Sequence, residues 1–466
     1  MRVHNFGRKI GAAVIAMGVA GAAAPQAHAF TLLEALSLAY ESNPAIRAER
    51  YGNRASDAQV WEAAGGMLPT VTLQASKGKA WYDVQYSDNF VGGGAGGATG
   101  TPLDPILGGG AGGGFSPTQD GSLDITTYGA TVDQVLFSGG RAFNAFRQVR
   151  ALSDLSGYQL LQTESQILVE GVTAFMDVIS NDAVVALSEA NVDVLNEHLS
   201  AANTRFEVGE ITRTDVAQAE ARLAGVESGL AQARAQQRAA RKTFVRIFGR
   251  APDGLQEPKN LPPLPKDEME AREIANRSAP ALNMARAGED AASRALWVAR
   301  GEFLPTVALR GEYSKQEGTS PQLDEQTNKS IMAVASWPIF EGGAKFARSR
   351  KASFEHHKAR LNIFAAERQI EEMVSVTWEQ LLAAQASIRS DQAQVLANEL
   401  ALNGVRSEAS VGSRSTLDVL NAEQELLNAR VALVRSQRNE VVAAYQLLAV
   451  LGLFTPIHVG FSDVTD

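Results

Sequence analysis

The chain has 466 residues, a formal net charge of −9 and no cysteine. The acidic balance argues against a nucleic-acid-binding face, and without thiols there are neither disulfide staples nor zinc–cysteine sites. The length is too great for one simple core, yet the hydrophobic content is ordinary, so a water-facing exterior is expected.

The N-terminus carries Arg2, Arg8 and Lys9, then an uncharged run from Ile10 to Ala24. Ala27-His28-Ala29 follows, with small residues at the −3 and −1 positions of a cleavage site. This predicts a signal peptide over 1–29 and an exported protein. The apolar run is short for a bilayer span, and no later stretch reaches about 18 uncharged apolar residues. The remainder is therefore expected to lack a transmembrane helix.

Two halves of the chain repeat one another. Leu68-Pro69-Thr70-Val71 recurs 236 positions later as Leu304-Pro305-Thr306-Val307, and Asn43-Pro44 recurs as Ala279-Pro280. Phe137-Ser138-Gly139-Gly140 recurs 203 positions later as Phe340-Glu341-Gly342-Gly343, and Val208-Gly209 as Val411-Gly412. The two offsets differ because the first copy holds a glycine-rich tract over 91–114. So many agreements in fixed register identify an internal duplication.

Each copy reads as helix, strand, loop, strand, long helix, turn and long helix. Strands are predicted near 68–82 and 123–138 in the first copy, and near 304–314 and 329–340 in the second, from period-2 alternation. Val71, Leu73 and Ala75 oppose Thr72, Gln74 and Ser76. Tyr128, Ala130 and Val132 likewise alternate with Gly129, Thr131 and Asp133. One apolar and one polar face suit a strand between lipid and a wet lumen. Trp81, Tyr82 and Tyr86 at the far end, with Phe137, Trp337 and Phe340 at the near end, are expected to form two interfacial aromatic levels. Pro69 and Pro305 stand where helix becomes strand.

Helices are predicted over 141–208 and 213–248, and again over 344–411 and 414–451. About 65 helical residues at ~1.5 Å each reach roughly 100 Å. Leu417, Leu420, Leu427, Val431, Val434, Val441 and Leu448 keep a 3/4 spacing, a coiled-coil seam with Gln424, Arg438 and Tyr445 at its remaining positions. The resulting division is 30–249 for the first repeat, 250–267 for a proline-rich linker, 268–453 for the second repeat and 454–466 for a tail.

Four strands cannot close a barrel, and lipid tolerates no open sheet edge. Several chains must combine, as a trimer of twelve strands or a dimer of eight. No enzyme signature stands out. The Gly92, Gly94 and Gly97 pattern has no strand before it and no helix after it, and His356-His357 are adjacent rather than four apart. No nucleophile elbow or phosphate loop is present, so no catalysis, metal or cofactor is expected.

The opening Thr31-Leu32-Leu33-Glu34-Ala35-Leu36 with Asn43-Pro44, both Leu-Pro-Thr-Val starts, both Phe-x-Gly-Gly junctions and the run from Val411 to Ala422 resemble the TolC family of outer-membrane efflux and secretion channels. The likeness covers essentially all of residues 30–453. It implies a mainly α fold with membrane β: a homotrimeric twelve-stranded β-barrel in outer-membrane lipid, continuous with a long periplasmic α-helical barrel. It implies docking of a periplasmic adaptor and an inner-membrane ABC or other transporter, with Val208, Gly209, Val411 and Gly412 as docking turns. It also implies a periplasmic constriction at the hairpin turns. Asp418 maps onto the acid lining it, and Arg414 onto the residue that holds the inner coil through polar links. Asn421 stands where the family commonly has a second acid. The first-copy turn offers Glu210, Arg213 and Asp215 as companions, although helix capping alone would also account for Asp215. The opening segment looks most like type I secretion members, which implies polypeptide cargo, with small-molecule efflux as the alternative.

Overall fold

A computed structural model describes residues 30–85, 118–258, 260–320 and 323–455. The expected signal peptide, the glycine-rich tract, Tyr86 and the tail from 456 onward lie outside the described residues.

The first copy comprises α1 (Leu32–Ser42), α2 (Pro44–Gly65), β1 (Thr70–Gln85), β2 (Thr118–Phe137), α3 (Arg141–Glu207) and α4 (Arg213–Phe248). The second comprises α5 (Glu268–Ser278), α6 (Pro280–Gly301), β3 (Thr306–Ser320), β4 (Leu323–Ser336), α7 (Ala344–Ser410) and α8 (Thr416–Val450). Local chemistry sets the boundaries. Thr31 and Glu34 form a capping box at the start of α1, while Asn43 caps α2 with Pro44 in its first turn. Gly140 and Gly343 adopt the left-handed conformation at the strand-to-helix junctions, with φ of 75° and 82°. Beyond them α3 and α7 each run for 67 residues, roughly 100 Å.

No long helix carries a broad apolar face, and the core is concentrated in a belt near the middle. There Leu36 and Ala39 of α1 meet Leu168, Val172 and Phe175 of α3 and Phe244 and Phe248 of α4. The Phe244 and Phe248 rings lie 4.4 Å apart between centroids. Gly171 makes this approach possible, because a Cβ there would lie 3.1 Å from Leu36 Cδ2 and 3.3 Å from Phe248 Cζ. In the second copy, Ala271 and Ala275 of α5 pack on Ile370 and Val374 of α7 and Ala444 and Leu447 of α8. Among the described residues no helix is long and apolar enough to cross a membrane.

The strands form one antiparallel sheet in the order β1-β2-β3-β4. Its register keeps the two faces separate. Val71, Leu73 and Ala75 oppose Val132, Ala130 and Tyr128, which in turn oppose Gly311, Tyr313 and Lys315. Leu309 and Val307 oppose Ala333 and Ala335 on the same apolar face. On the other face Arg310 Nε donates to Asp133 Oδ1 at 2.6 Å.

Lys77 and Lys79 interrupt the apolar face of β1 before Trp81, and Lys315 beyond Tyr313 bonds Glu317 and Glu325. Trp81 therefore lies about 20 Å beyond Ala75, at ~3.4 Å per residue, past the apolar band. Tyr128 and Tyr313 lie nearer, opposite Ala75 and Ala130.

The strand β4 ends at Ser336, whereas the alternation extends to 340. In β2 the equivalent residues, Gln134 to Phe137, pair only with β3. At the sheet edge β4 has no third strand beside it, so 337–340 carry no ladder.

Candidate functional site: the hairpin turns

Both long hairpins close through the same device. Gly209 and Gly412 take φ of 78° and 81°, a conformation open to glycine, and the chain reverses there. Thr212 then caps α4 through a reciprocal box with Asp215, and Ser415 caps α8 through one with Asp418. Asp418 Oδ2 accepts from the Ser415 amide at 3.0 Å and from its hydroxyl at 2.8 Å. These bonds, with a smaller contribution from Arg414, hold the Asp418 carboxyl below the ordinary aspartate range. The Thr212 hydroxyl and amide do the same for Asp215. Both acids are helix caps as well as pore candidates, so their side chains are already committed to a local role.

Across each turn lies one ion pair, with its polarity exchanged between copies. In the first, Arg205 donates to Glu210 at 2.7 Å. In the second, Glu408 stands at the position of Arg205, and Arg414 Nε donates to it at 2.8 Å. Hydrogen bonding to Arg205 lowers the Glu210 carboxyl, and hydrogen bonding to Glu408 raises the Arg414 guanidinium. Within the chain, then, Arg414 bonds inside its own hairpin rather than across to the neighbouring one. Arg213 is exposed at the first position of α4, and Val208 and Val411 are exposed at the turns themselves.

Bonds that tie the two hairpins together start from α8, slightly farther from the turns. Asn421 Oδ1 accepts from Arg222 of α4 at 2.6 Å. Asn421 is thus joined to a cation from the first hairpin. Glu423 is buried, and its Oε1 accepts from His198 of α3 at 2.8 Å and from Arg406 of α7 at 2.9 Å. Burial alone would raise the Glu423 carboxyl, but these two bonds outweigh it and leave the group below the ordinary glutamate range. A cavity of about 110 Å³ beside it is also lined by Asn191, Leu402, Leu426 and Arg430. Higher up, Arg438 Nε donates to Asp177 of α3 at 2.8 Å.

Sequence reasoning identified the turn residues but missed Arg222, His198, Arg406 and Glu423. Arg438 had a visible signal, as the charged residue on a mostly apolar seam. Glu423 lies just off that seam and shows no such break.

The chain matches the family described as outer membrane efflux protein over residues 35–250 and 272–453. It is 30% identical over 433 residues to outer membrane efflux protein BepC of Brucella suis biovar 1, covering 92% of this chain and 87% of that one. It is 25% identical over 437 residues to alkaline protease secretion protein AprF of Pseudomonas aeruginosa, covering 92% and 85%. Among solved structures, the outer membrane protein VceC of Vibrio cholerae superposes with a TM-score of 0.73 at 19% identity, covering 90% of this chain and 96% of that one. The MtrE outer membrane channel of Neisseria gonorrhoeae gives a TM-score of 0.71 at 18% identity, covering 90% and 88%.

Proposed function

The chain belongs to the outer membrane efflux protein family, a family of non-enzymatic outer-membrane channels, and on that premise we propose that it is the passive exit duct for polypeptides in type I, ABC-transporter-driven secretion. The assembled duct is a homotrimer whose three four-stranded sheets make a twelve-stranded barrel, with the hairpins hanging into the periplasm. An adaptor docks at the turns around Val208, Gly209, Val411 and Gly412, and an inner-membrane transporter drives the cargo. The constriction is built from Arg414, Asp418, Asn421, Asp215 and Arg213.

The observation that carries the duct is the sheet itself. It has one apolar and one polar face, with unpaired edges at β1 and β4 that only further strands can satisfy in lipid. Support for polypeptide cargo comes from AprF and from proteases secretion protein PrtF of Dickeya chrysanthemi, 24% identical over 417 residues, both named for protease secretion. Small-molecule efflux is the second reading, favoured by the name of BepC.

Deletion of the gene, in a strain that also lacks any close paralogue, separates the two. Polypeptide secretion requires the loss of at least one protein from the culture medium, with a smaller change in drug susceptibility. A full extracellular profile combined with many-fold sensitisation to dyes, detergents or antibiotics would replace secretion by efflux.

A further inference from the structure

Every lysine in the described sheet faces the same way. Lys77 and Lys79 of β1, Lys315 of β3 and Lys329 of β4 alternate in step with Val71, Val307 and Ile331 on the apolar face. The one arginine of the described strands, Arg310, lies on the polar face with Asp133. An ammonium prefers water to hydrocarbon, so a wet lumen alone would select the reverse arrangement.

Height accounts for it. Strands β1 and β3 leave the helices at Thr70 and Thr306, and β4 returns to them at Ser336. Counted from those ends, Lys77 and Lys329 stand seven residues up the sheet, and Lys79 and Lys315 nine. At ~3.4 Å per residue and a tilt of roughly 40°, these are heights of about 18 and 23 Å. A membrane barrel's apolar band is about 25 Å tall. The four ammoniums therefore form one belt near its far boundary, where a lysine costs little and its stem can lie along apolar surface.

Within the belt the charges are not equivalent. Lys315 Nζ lies 2.8 Å from Glu317 and 3.1 Å from Glu325, and Lys79 stands opposite Asp124. Lys329 has no carboxylate within ion-pair distance among the described residues. It stands opposite Tyr313, with Nζ 5.7 Å from the ring centroid. Next to this pair the apolar surface is notched. Gly311 brings no side chain between Val132 of β2 and Ile331 of β4, and with Ala130, Tyr313 and Lys329 these residues line a groove of about 430 Å³. Ile331 at its side is 82% exposed.

We propose that this groove holds one phosphorylated glycolipid of the cell-surface leaflet, of the lipid A class, with an acyl chain over Gly311 and a phosphate on the Lys329 ammonium beside Tyr313. The inference rests on the duct reading, which puts the apolar face in lipid and the hairpin ends of the sheet at the cell surface. An acyl chain alone would need only the groove. An uncompensated ammonium at headgroup height selects a lipid that carries negative charge there, and the apolar groove joined to it selects a lipid over a free anion.

Native mass spectrometry of the full-length particle, extracted in mild detergent and titrated with diphosphorylated lipid A, reads the site directly. One lipid per chain is expected. Lys329→Gln should weaken binding about five- to tenfold, the order that one lysine contributes at a charged membrane surface, and Lys329→Arg should keep it. Gly311→Val fills the groove and should also weaken binding; a Cβ there meets Val132 Cβ at an ordinary 3.9 Å, so the sheet can accept it. Lipid A stripped of its phosphates should bind the wild type no better than the intact lipid binds Lys329→Gln. Equal binding by the wild type and Lys329→Gln, or no effect of removing the phosphates, overturns the proposal. So does displacement by equimolar inorganic phosphate, which would make this a site for free anions, or equally tight binding of phosphatidylglycerol, which would remove the glycolipid. A conducting trimer indifferent to all these changes loses the lipid site alone, whereas a non-conducting monomer overturns the duct.

Discussion

Glu423→Gln tests the polar cluster that joins α8 to α3 of the other hairpin and to α7 of its own. The Glu423 side chain is 5% exposed, and one oxygen receives both the His198 and the Arg406 bonds. Hydrogen bonds to a charged group contribute about 1.5–3 kcal/mol each, and neutral ones about 0.5–1.5 kcal/mol. Glutamine keeps the shape and one acceptor but loses the charge at both bonds. The exchange also removes the cost of burying a carboxylate, and Arg406, which is half exposed, recovers water. The balance is a local destabilisation of about 2 kcal/mol, roughly a thirtyfold change in a local opening equilibrium at ~1.4 kcal/mol per tenfold. Native-state hydrogen exchange reads this directly, because α8 amides near Glu423 should exchange roughly thirtyfold faster while belt amides near Leu447 stay protected. The sign with pH follows from the lowered carboxyl. Its contribution is present above the unfolded-state pKa and disappears as pH falls through the folded one, so the wild-type tie weakens only in acid, below the ordinary glutamate range. Unchanged exchange near Glu423 in the variant would refute the account of these bonds.

The belt should be the most costly place to make a hole, since Phe248 is 1% exposed and packs on Phe244 beside Gly171; Phe248→Ala should cost about 3–5 kcal/mol in thermal or denaturant unfolding. Ser415→Ala removes the cap of α8 and should cost about 1 kcal/mol, seen as faster exchange in the first turn of that helix. Because hydrogen bonds from Ser415 lower the Asp418 carboxyl, the capping box should loosen only as pH falls through that depressed value, which amide shifts at 415–418 would follow. In planar bilayers, Arg414→Ser should raise single-channel conductance by releasing Glu408, and Asp418→Ala should reduce cation selectivity; no change in either would move the constriction elsewhere.

Much of the architecture was legible because its elements are long and repeated. A run of 67 helical residues leaves a sequence almost free of proline and glycine, and a strand with one face in lipid alternates residue by residue. The duplication then gave two independent views of each element. What escaped depended on contacts between segments distant in sequence. Only the cross-strand register sets Tyr128 opposite Ala75 and Tyr313 opposite Ala130, pairings between residues far apart in sequence. His198 and Glu423 are 225 positions apart, and neither carries a local pattern that announces the other. Asp215 and Asp418 could be seen as caps or as pore acids, and the geometry makes them caps whatever else they do.

In the proposed duct, one chain holds a third of a barrel. The most direct test is the mass of the protein component after extraction from outer membranes in mild detergent, by light scattering or native mass spectrometry. Three chains per particle is the expected result, since four strands each then close a ring of twelve. A monodisperse particle of one chain would leave both sheet edges unpaired in lipid and would contradict the claim.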